Sequence, residues 1–274
     1  MLAVRLGHAQ ALPAGDCASR AYQDSLVARY LDRGAERVGY LDPRWAQYCD
    51  SVILRCPGIA QAYQLKAVPL IKDGKYAAAF ALEDQAVRLD PRRWLAYRGF
   101  LKCIFTKDYR GAIADFQAAE KRKPRSREMD HTYPFWLGVC HLELGELQAA
   151  EAAFARDRQQ QLGPGGEGSV HFNSLLYAGI VRYEARRYAP AAVLLRQCLQ
   201  QYARHPEANF YLALTLRAQG HPAEAARYLQ LAAAALAAGY RLNEDNLPYA
   251  NYPHQITAYE VQQALAAQGQ HARQ

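Results

Sequence analysis

The chain lacks the short motifs that most often point to an enzyme. It contains no G-x-x-x-x-G-K-[ST], no G-x-S-x-G and no H-E-x-x-H, so no phosphate loop, nucleophile elbow or zincin helix can be read from it. None of its six cysteines, at 17, 49, 56, 103, 140 and 198, stands in a C-x-x-C pair, which argues against a zinc site. No uninterrupted apolar stretch approaches the roughly 20 residues that span a bilayer. The eight histidines are scattered. Cys140-His141 is an adjacent cysteine–histidine pair, but consecutive helical residues point about 100° apart and form no dyad; a core or half-buried place is expected for His141. Asn243, Glu244, Asp245 and Asn246 offer oxygen ligands without calcium-loop spacing, and helix capping is their expected role. The sequence therefore nominates no catalytic residue, no cofactor and no metal, and a non-enzymatic protein is expected.

Apolar residues make up 51% of the 274, ample for helix packing and incompatible with disorder. That length exceeds most single cores, yet no change of composition divides the chain. The formal net charge is +7. The excess is concentrated where Lys121-Arg-Lys-Pro-Arg-Ser-Arg127 places five basic residues in seven. Such a loop is ordinarily just solvated, and otherwise suits nucleic acid, an acidic protein or anionic lipid.

One fragment keeps returning. Gly74-Lys75-Tyr76-Ala77-Ala78-Ala79 recurs at 107–112, 145–150, 185–191 and 220–225, and its final alanines, 79, 112, 150, 191 and 225, lie 33, 38, 41 and 34 residues apart. A period near 34 predicts stacked helix pairs, in which each unit packs on its neighbours and the chain grows in one dimension. The pairs are expected at 59–72 with 75–89, 92–106 with 109–121, 132–144 with 146–159, 171–185 with 188–203, and 206–219 with 222–238. Pro69 should kink its helix or leave a carbonyl unpaired. The turn Thr106-Lys-Asp108 reads one residue shorter than the turn at Asp73-Gly74. Surplus residues at 122–130 and 158–169 fall between pairs, so these two loops should protrude on the same side.

The remaining organisation follows: 1–19 a tail, 20–57 a degenerate helix pair, 58–238 five regular pairs, and 239–274 a loop with a capping helix at Thr257–Ala267. In the first pair, Asp42 suits an N-cap and Pro43 the first helical position. Cys49 and Cys56 sit seven residues apart on one helix, roughly 10 Å by rise, too far to bond each other. Cys17 could bond either one if the protein is exported. Ala9-Gln-Ala11 before Leu12 resembles the end of a leader, so the compartment is expected to be cytoplasmic, or periplasmic or secreted if a leader ends there.

The units resemble tetratricopeptide repeats of a divergent bacterial type, with W-x2-L-G-x2-Y, then A-x3-F, then P. Leu137-Gly138, Gly145, Ala150 and Phe154 carry the pattern, as do Tyr109, Ala112, Phe116, Ala119 and Pro124, and Tyr63, Ala67, Gly74, Tyr76, Ala79, Ala86 and Pro91. Gly179, Tyr188, Ala191 and Leu195 repeat it, then Ala208, Leu212-Ala213, Gly220, Ala225, Leu229 and Ala232. Glu83 stands where an aromatic residue is expected, and Lys66 where leucine is. The resemblance implies an all-α, right-handed solenoid of stacked antiparallel helix pairs. It also implies a concave groove lined by the first helix of each pair, where a protein or peptide segment binds. Carried over residue by residue, that groove would include Gln61, Gln64, Leu95, Arg98, Lys102, Phe135, Asn173, Tyr183, Phe210 and Arg217. Arg98 and Lys102, four apart on one face, could hold a partner carboxylate, or be no more than solvated side chains. The family's two-carboxylate clamp is not matched, since its positions hold Gln64, Val68, Gly99, Thr132 and Trp136; chaperone C-terminal tails are not expected as ligands.

A protein-binding scaffold is the first functional reading. A nucleic-acid or acidic-partner binder using 121–127 is the alternative, although Glu143, Glu151, Glu184 and Glu224 interrupt any positive stripe. A non-catalytic regulatory subunit of an enzyme complex is a further one.

Overall fold

The computed structural model describes residues 15–242 and 252–271. It is all-α, of the solenoid class, with antiparallel helix pairs and, among the described residues, one small two-stranded hairpin. The chain divides into two compact units, up to Trp94 and from Leu95 on. Residues 1–14 of the tail expected at 1–19, with its leader-like end, and Asn243–Asn246 lie outside the described residues.

In the first unit, helix α1 runs through Arg20–Leu26, a π-helical stretch Val27–Ala35 and a last turn Glu36–Val38. Helices α2 (Arg44–Arg55), α3 (Ala60–Lys72) and α4 (Tyr76–Leu89) follow. Each packs on the one before it, around a core of Leu26, Leu31, Trp45, Cys49, Val52, Ile59, Ala62 and Leu65. Asp42 takes the first free amide of α2, with Arg44 N donating to its Oδ1 at 2.8 Å; the helix begins one residue later than expected, with Pro43 in the cap position.

At Pro69 the expected unpaired carbonyl is not found. Helix α3 continues through the proline. Proline has no N–H, so the carbonyl of Leu65, four residues back, loses its helical donor. The buried indole Nε1 of Trp45 donates to that carbonyl at 2.7 Å instead, so it is not left unpaired.

Cys17 is disulfide-bonded to Cys56, not to Cys49, with Cα atoms 5.5 Å apart. Cys49 is a buried free thiol, and burial pushes its pKa up to about 12.

The second unit begins within helix α5 (Pro91–Leu101), which continues as a π-helical Lys102–Thr106. Then come α6 (Tyr109–Arg122), α7 (Tyr133–Glu143), α8 (Leu147–Gln161), α9 (Phe172–Glu184), α10 (Tyr188–Gln201), α11 (Pro206–Ala218) and α12 (Pro222–Ala237). From α6 to α12 each helix packs on the next, and the first helices α7, α9 and α11 also touch in succession. The repeat fragment explains the close pairing. A Cβ on Gly138 would lie 2.7 Å from the Phe154 ring, so only glycine lets α7 approach α8 at that point.

The turn geometry is common to both units. Gly74, Lys107, Gly145, Arg186 and Gly220 all have positive φ, between 56° and 83°. The next amide then reaches back five residues in four cases, Lys75 to Leu70, Glu146 to His141, Arg187 to Arg182 and His221 to Leu216, the bonding of a Schellman end. In the fifth, Asp108 N reaches Lys102 O, six residues back. The turn at Lys107 is therefore not shortened, as its sequence suggested. Eight residues separate Gly99 from Lys107 where seven separate Gly138 from Gly145, and the π-helical stretch absorbs the surplus residue.

Both insertions are ordered over the described residues. The first makes a hairpin of β1 (Arg127–Glu128) and β2 (His131–Thr132). Met129 and Asp130 take positive φ at its tip, as a type I′ turn demands. The Trp136 indole donates to Glu128 O at 2.9 Å. The second is closed by a bridge between Gly163 and Gly166 and a 3-10 turn, Glu167–Ser169. The rings of His131 and His171, which follow the two insertions, lie 4.9 Å apart, so both loops rejoin the helices at one edge. The closing helix α13 (Ala258–His271) packs on α12. Thr257 and Glu260 form its capping box, with Thr257 N donating to Glu260 Oε2 at 2.8 Å.

Candidate functional site

The first helices of three successive pairs, α7, α9 and α11, form one face of the second unit. Across it lies the segment Tyr252–Ile256, which has no helical or strand structure. The Tyr177 hydroxyl on α9 donates to Pro253 O at 2.8 Å. His254 Nδ1 lies 2.6 Å from Glu143 Oε1 at the end of α7, and its ring is 6.0 Å from that of Tyr211 on α11. Ile256 N donates to Glu207 Oε1 of α11 at 3.4 Å. Tyr252, Pro253 and Ile256 are buried. The C-terminal region thus lays α13 on the last helix of the pairs and also threads the first-helix face as far as α7.

This face is acidic and tyrosine-rich, in a chain of net positive charge. Glu143 also accepts from the Tyr109 hydroxyl, at 3.0 Å. Burial alone would raise its pKa; the hydrogen bond and charge of His254, then Tyr109 and Lys107, outweigh that and hold it below the usual carboxylate value. Burial, then the charges of Glu184 and Glu143, push the Tyr211 hydroxyl up. Burial and the Glu143 charge do the same to Tyr109, so both phenols stay protonated.

A buried polar chain fixes the starts of these helices. Thr132 Oγ1 and Gln161 Nε2 both donate to Asp157 Oδ1 at 2.6 Å, and the same Gln161 amide donates to Ser174 Oγ at 2.8 Å. His205 Nε2 meets Asn173 Oδ1 at 3.1 Å, and its Nδ1 lies 3.2 Å from Glu207 Oε2. The hydrogen bonds at Thr132, Gln161, Ser174 and Asn173 tie the helices they join to one register, while Asp157 Oδ2, His205 Nδ1 and Glu207 Oε2 are buried without a hydrogen bond.

The residues expected in the groove are distributed as follows. Phe135, Asn173 and Phe210 are buried on α7, α9 and α11, Tyr183 is half-buried and Arg217 exposed. In the first unit, Gln64 is buried and Gln61 lines a cleft of about 440 Å³ with Gln23, Asp24, Arg93 and Trp94. Leu95 is buried. Arg98 and Lys102 do hold a carboxylate, but one of the chain's own. Arg98 donates to both oxygens of Asp115 at 2.5 and 2.8 Å, and Lys102 Nζ lies 2.9 Å from Oδ2. Asp115 is on α6, so the pair faces the second helix of its own repeat. The register agrees: Arg98 stands one before Gly99, whereas Phe135 and Phe210 stand three before Gly138 and Ala213.

His141 is half-buried, with Nδ1 2.7 Å from Glu146 Oε2. Glu151 pairs with Arg182 and Arg187, and Glu224 with Arg196 at 3.0 Å. Among the described residues no group of three or more His, Cys, Asp or Glu side chains could hold a metal, and no helix is long and apolar enough to cross a membrane. Sequence reasoning missed Glu143, Tyr177, Glu207, Tyr211 and the segment that meets them. One signal was available: Glu143 and Glu184 each stand five residues after the small residue of their repeat, Gly138 and Gly179.

Residues 106–163 match the tetratricopeptide repeat family. No curated protein matches the chain by sequence. Among solved structures, the chain is similar to PilW, a widely conserved type IV pilus biogenesis factor, at 13% identity and a TM-score of 0.63, over 90% of this chain and 100% of that one. It is similar to PilF of Pseudomonas aeruginosa at 17% and 0.58, over 76% and 91%. It is also similar to YrrB, a tetratricopeptide repeat protein with an unusual peptide-binding site, at 17% and 0.52, over 71% and 98%. At these identities the likeness is one of fold. Residues 106–163 thus carry the tetratricopeptide repeat pattern, and the chain as a whole shares the fold of these proteins.

Proposed function

We propose that the chain is a non-enzymatic interaction scaffold that binds a protein or peptide segment on the first-helix face of its repeats. The observation that carries this reading is the Tyr252–Ile256 turn, with His254 at a φ of 57°, seated on α7, α9 and α11 and held through its own main chain at Pro253 and Ile256. A face that accepts one such segment has the donors, acceptors and depth to accept another. Tyr183 and Arg217 are the accessible members of this face, with Phe135, Asn173 and Phe210 shaping it from beneath.

Photo-crosslinking side chains placed at 183 and 217 test this in the native cell. A defined partner should be captured from both positions and not from Val193, exposed on a second helix. Equal capture from all three would overturn the reading. The competing use of Lys121–Arg127, five exposed basic side chains beside the hairpin, predicts capture there instead, with affinity falling steeply in salt.

A further inference from the structure

We propose that Tyr252–Ile256 is a built-in stand-in for the partner, and that the incoming segment follows the same turned course, closed here by Gln255 N donating to Tyr252 O at 3.0 Å, with a basic or imidazole side chain two residues before an apolar one. The proposal rests on the first-helix face being the binding face, and specifies what that face selects. The seated segment shows which features it reads. A main-chain carbonyl meets the Tyr177 hydroxyl, an imidazole meets Glu143, and an apolar side chain is buried two residues on, where its amide meets Glu207. The groups around the imidazole place carboxylates at 143, 184 and 207 close to Tyr211, with Lys107 the cation that also acts on Glu143.

This local sign is opposite to the net charge of the chain. Arg98 and Lys102, which would have welcomed an acidic ligand, are already committed to Asp115. When the segment leaves, the buried part of Glu143 loses its imidazole partner, and a replacement must bring a positive charge or leave a carboxylate uncompensated. An acidic segment would add a like charge beside three existing ones. The partner and the chain's own segment therefore compete for one site, and binding requires release of 252–256.

The test uses the full-length protein and a fluorescein-labelled peptide of residues 251–257, followed by anisotropy. His254→Asp sets a carboxylate against Glu143 and should eject the resident segment. The peptide should bind this variant about tenfold or more tighter than it binds the wild type, where the tethered segment competes. Lysine in place of the peptide's histidine should keep the affinity, and glutamate should lower it about tenfold, the worth of one close charge pair. Equal binding of the glutamate and histidine peptides would overturn the proposal, as would no binding to a variant with native helical circular dichroism. If His254→Asp fails to fold, hydrogen exchange on the wild type decides. Excess peptide should raise exchange at 254–256, and unchanged exchange overturns the idea. Cross-linking from Tyr183 separates the two levels: a captured partner that excess peptide does not displace leaves the scaffold standing and removes the stand-in, whereas no captured partner removes the scaffold itself.

Discussion

The indole of Trp45 hydrogen-bonds the carbonyl of Leu65 at 2.7 Å, and that carbonyl is the one Pro69 deprives of its helical donor. Two unusual residues 24 positions apart thus solve one problem. Trp45→Phe should cost about 1–3 kcal/mol, because it orphans a buried acceptor. In a Pro69→Ala background the residue-69 amide can serve Leu65 again, and the cost of Trp45→Phe should fall by about 1 kcal/mol. Urea unfolding of the four proteins measures this. Equal costs in both backgrounds would mean that Trp45 acts through packing alone.

The five repeat turns supply a second test. Lys107 and Arg186 adopt the left-handed conformation that Gly74, Gly145 and Gly220 adopt in the other turns. A side chain there costs roughly 1 kcal/mol. Arg186→Gly should raise the unfolding free energy by about 0.5–1 kcal/mol, the strain relieved less the added freedom of the unfolded chain, and Lys107→Gly should raise it by less, because that change also removes the positive charge acting on Glu143. Gly145→Ala should lower it by a similar amount, although nothing lies within 4 Å of where its Cβ would sit. Thermal melts of the three variants suffice.

The helix pairs were readable because the repeat places a small residue, a turn residue and a second small residue at fixed spacing, and each has a steric task visible in isolation. Helix boundaries from α3 to α12 agree with that spacing to within two residues. The π-helical stretch at Lys102–Thr106 could be counted, as one residue too many after Gly99, but not located, because a turn can shed a residue as readily as a helix can absorb it. The binding face was harder. Phe135 and Phe210 share a register, three before Gly138 and Ala213, but Arg98, carried over with them, stands one before Gly99, and its Asp115 partner lies 17 residues on along another helix. The seated segment had no periodicity to betray it. Its partners are far along the chain: His254 meets Glu143 111 residues away, Pro253 meets Tyr177 76 away and Ile256 meets Glu207 49 away.

Asp115 is 4% exposed, and it neutralises two cations that are themselves largely covered. Asp115→Ala should destabilise the protein by about 3–5 kcal/mol, because Arg98 and Lys102 are then left in place without a counter-charge. Arg98→Glu with Lys102→Glu would set three carboxylates together and unfold the same region. Loss of a partner in that double variant would report on stability, so it must be read beside circular dichroism.

The Cys17–Cys56 bond closes a separation of 39 residues. By chain entropy this contributes about 4 kcal/mol, so reduction should lower the unfolding free energy of the first unit by that order. Cys49→Ala should leave the bond intact. Native protein treated with iodoacetamide near pH 8 should not be labelled at Cys49, whose pKa near 12 leaves almost no thiolate. Mass spectrometry after digestion reads both results. A 49–56 or 17–49 bond in the peptide map would contradict the pairing.

Glu143 offers a pH test of the seated segment. Its folded-state pKa is depressed below the 4.5 of a free glutamate side chain, with the His254 hydrogen bond and charge the main opponents of burial. A depressed carboxylate contributes stability that is fully present above the unfolded value and is lost as pH falls through the folded one. Removing the imidazole with His254→Ala lets burial raise that pKa, so the variant gives up this contribution. The stability gap between wild type and His254→Ala should therefore be wide above the unfolded value of 4.5 and narrow as pH falls through the lowered folded value. Chemical denaturation at several pH values in that window measures it. A gap that stays constant would mean that His254 supports the segment by packing against Tyr211 and not through Glu143.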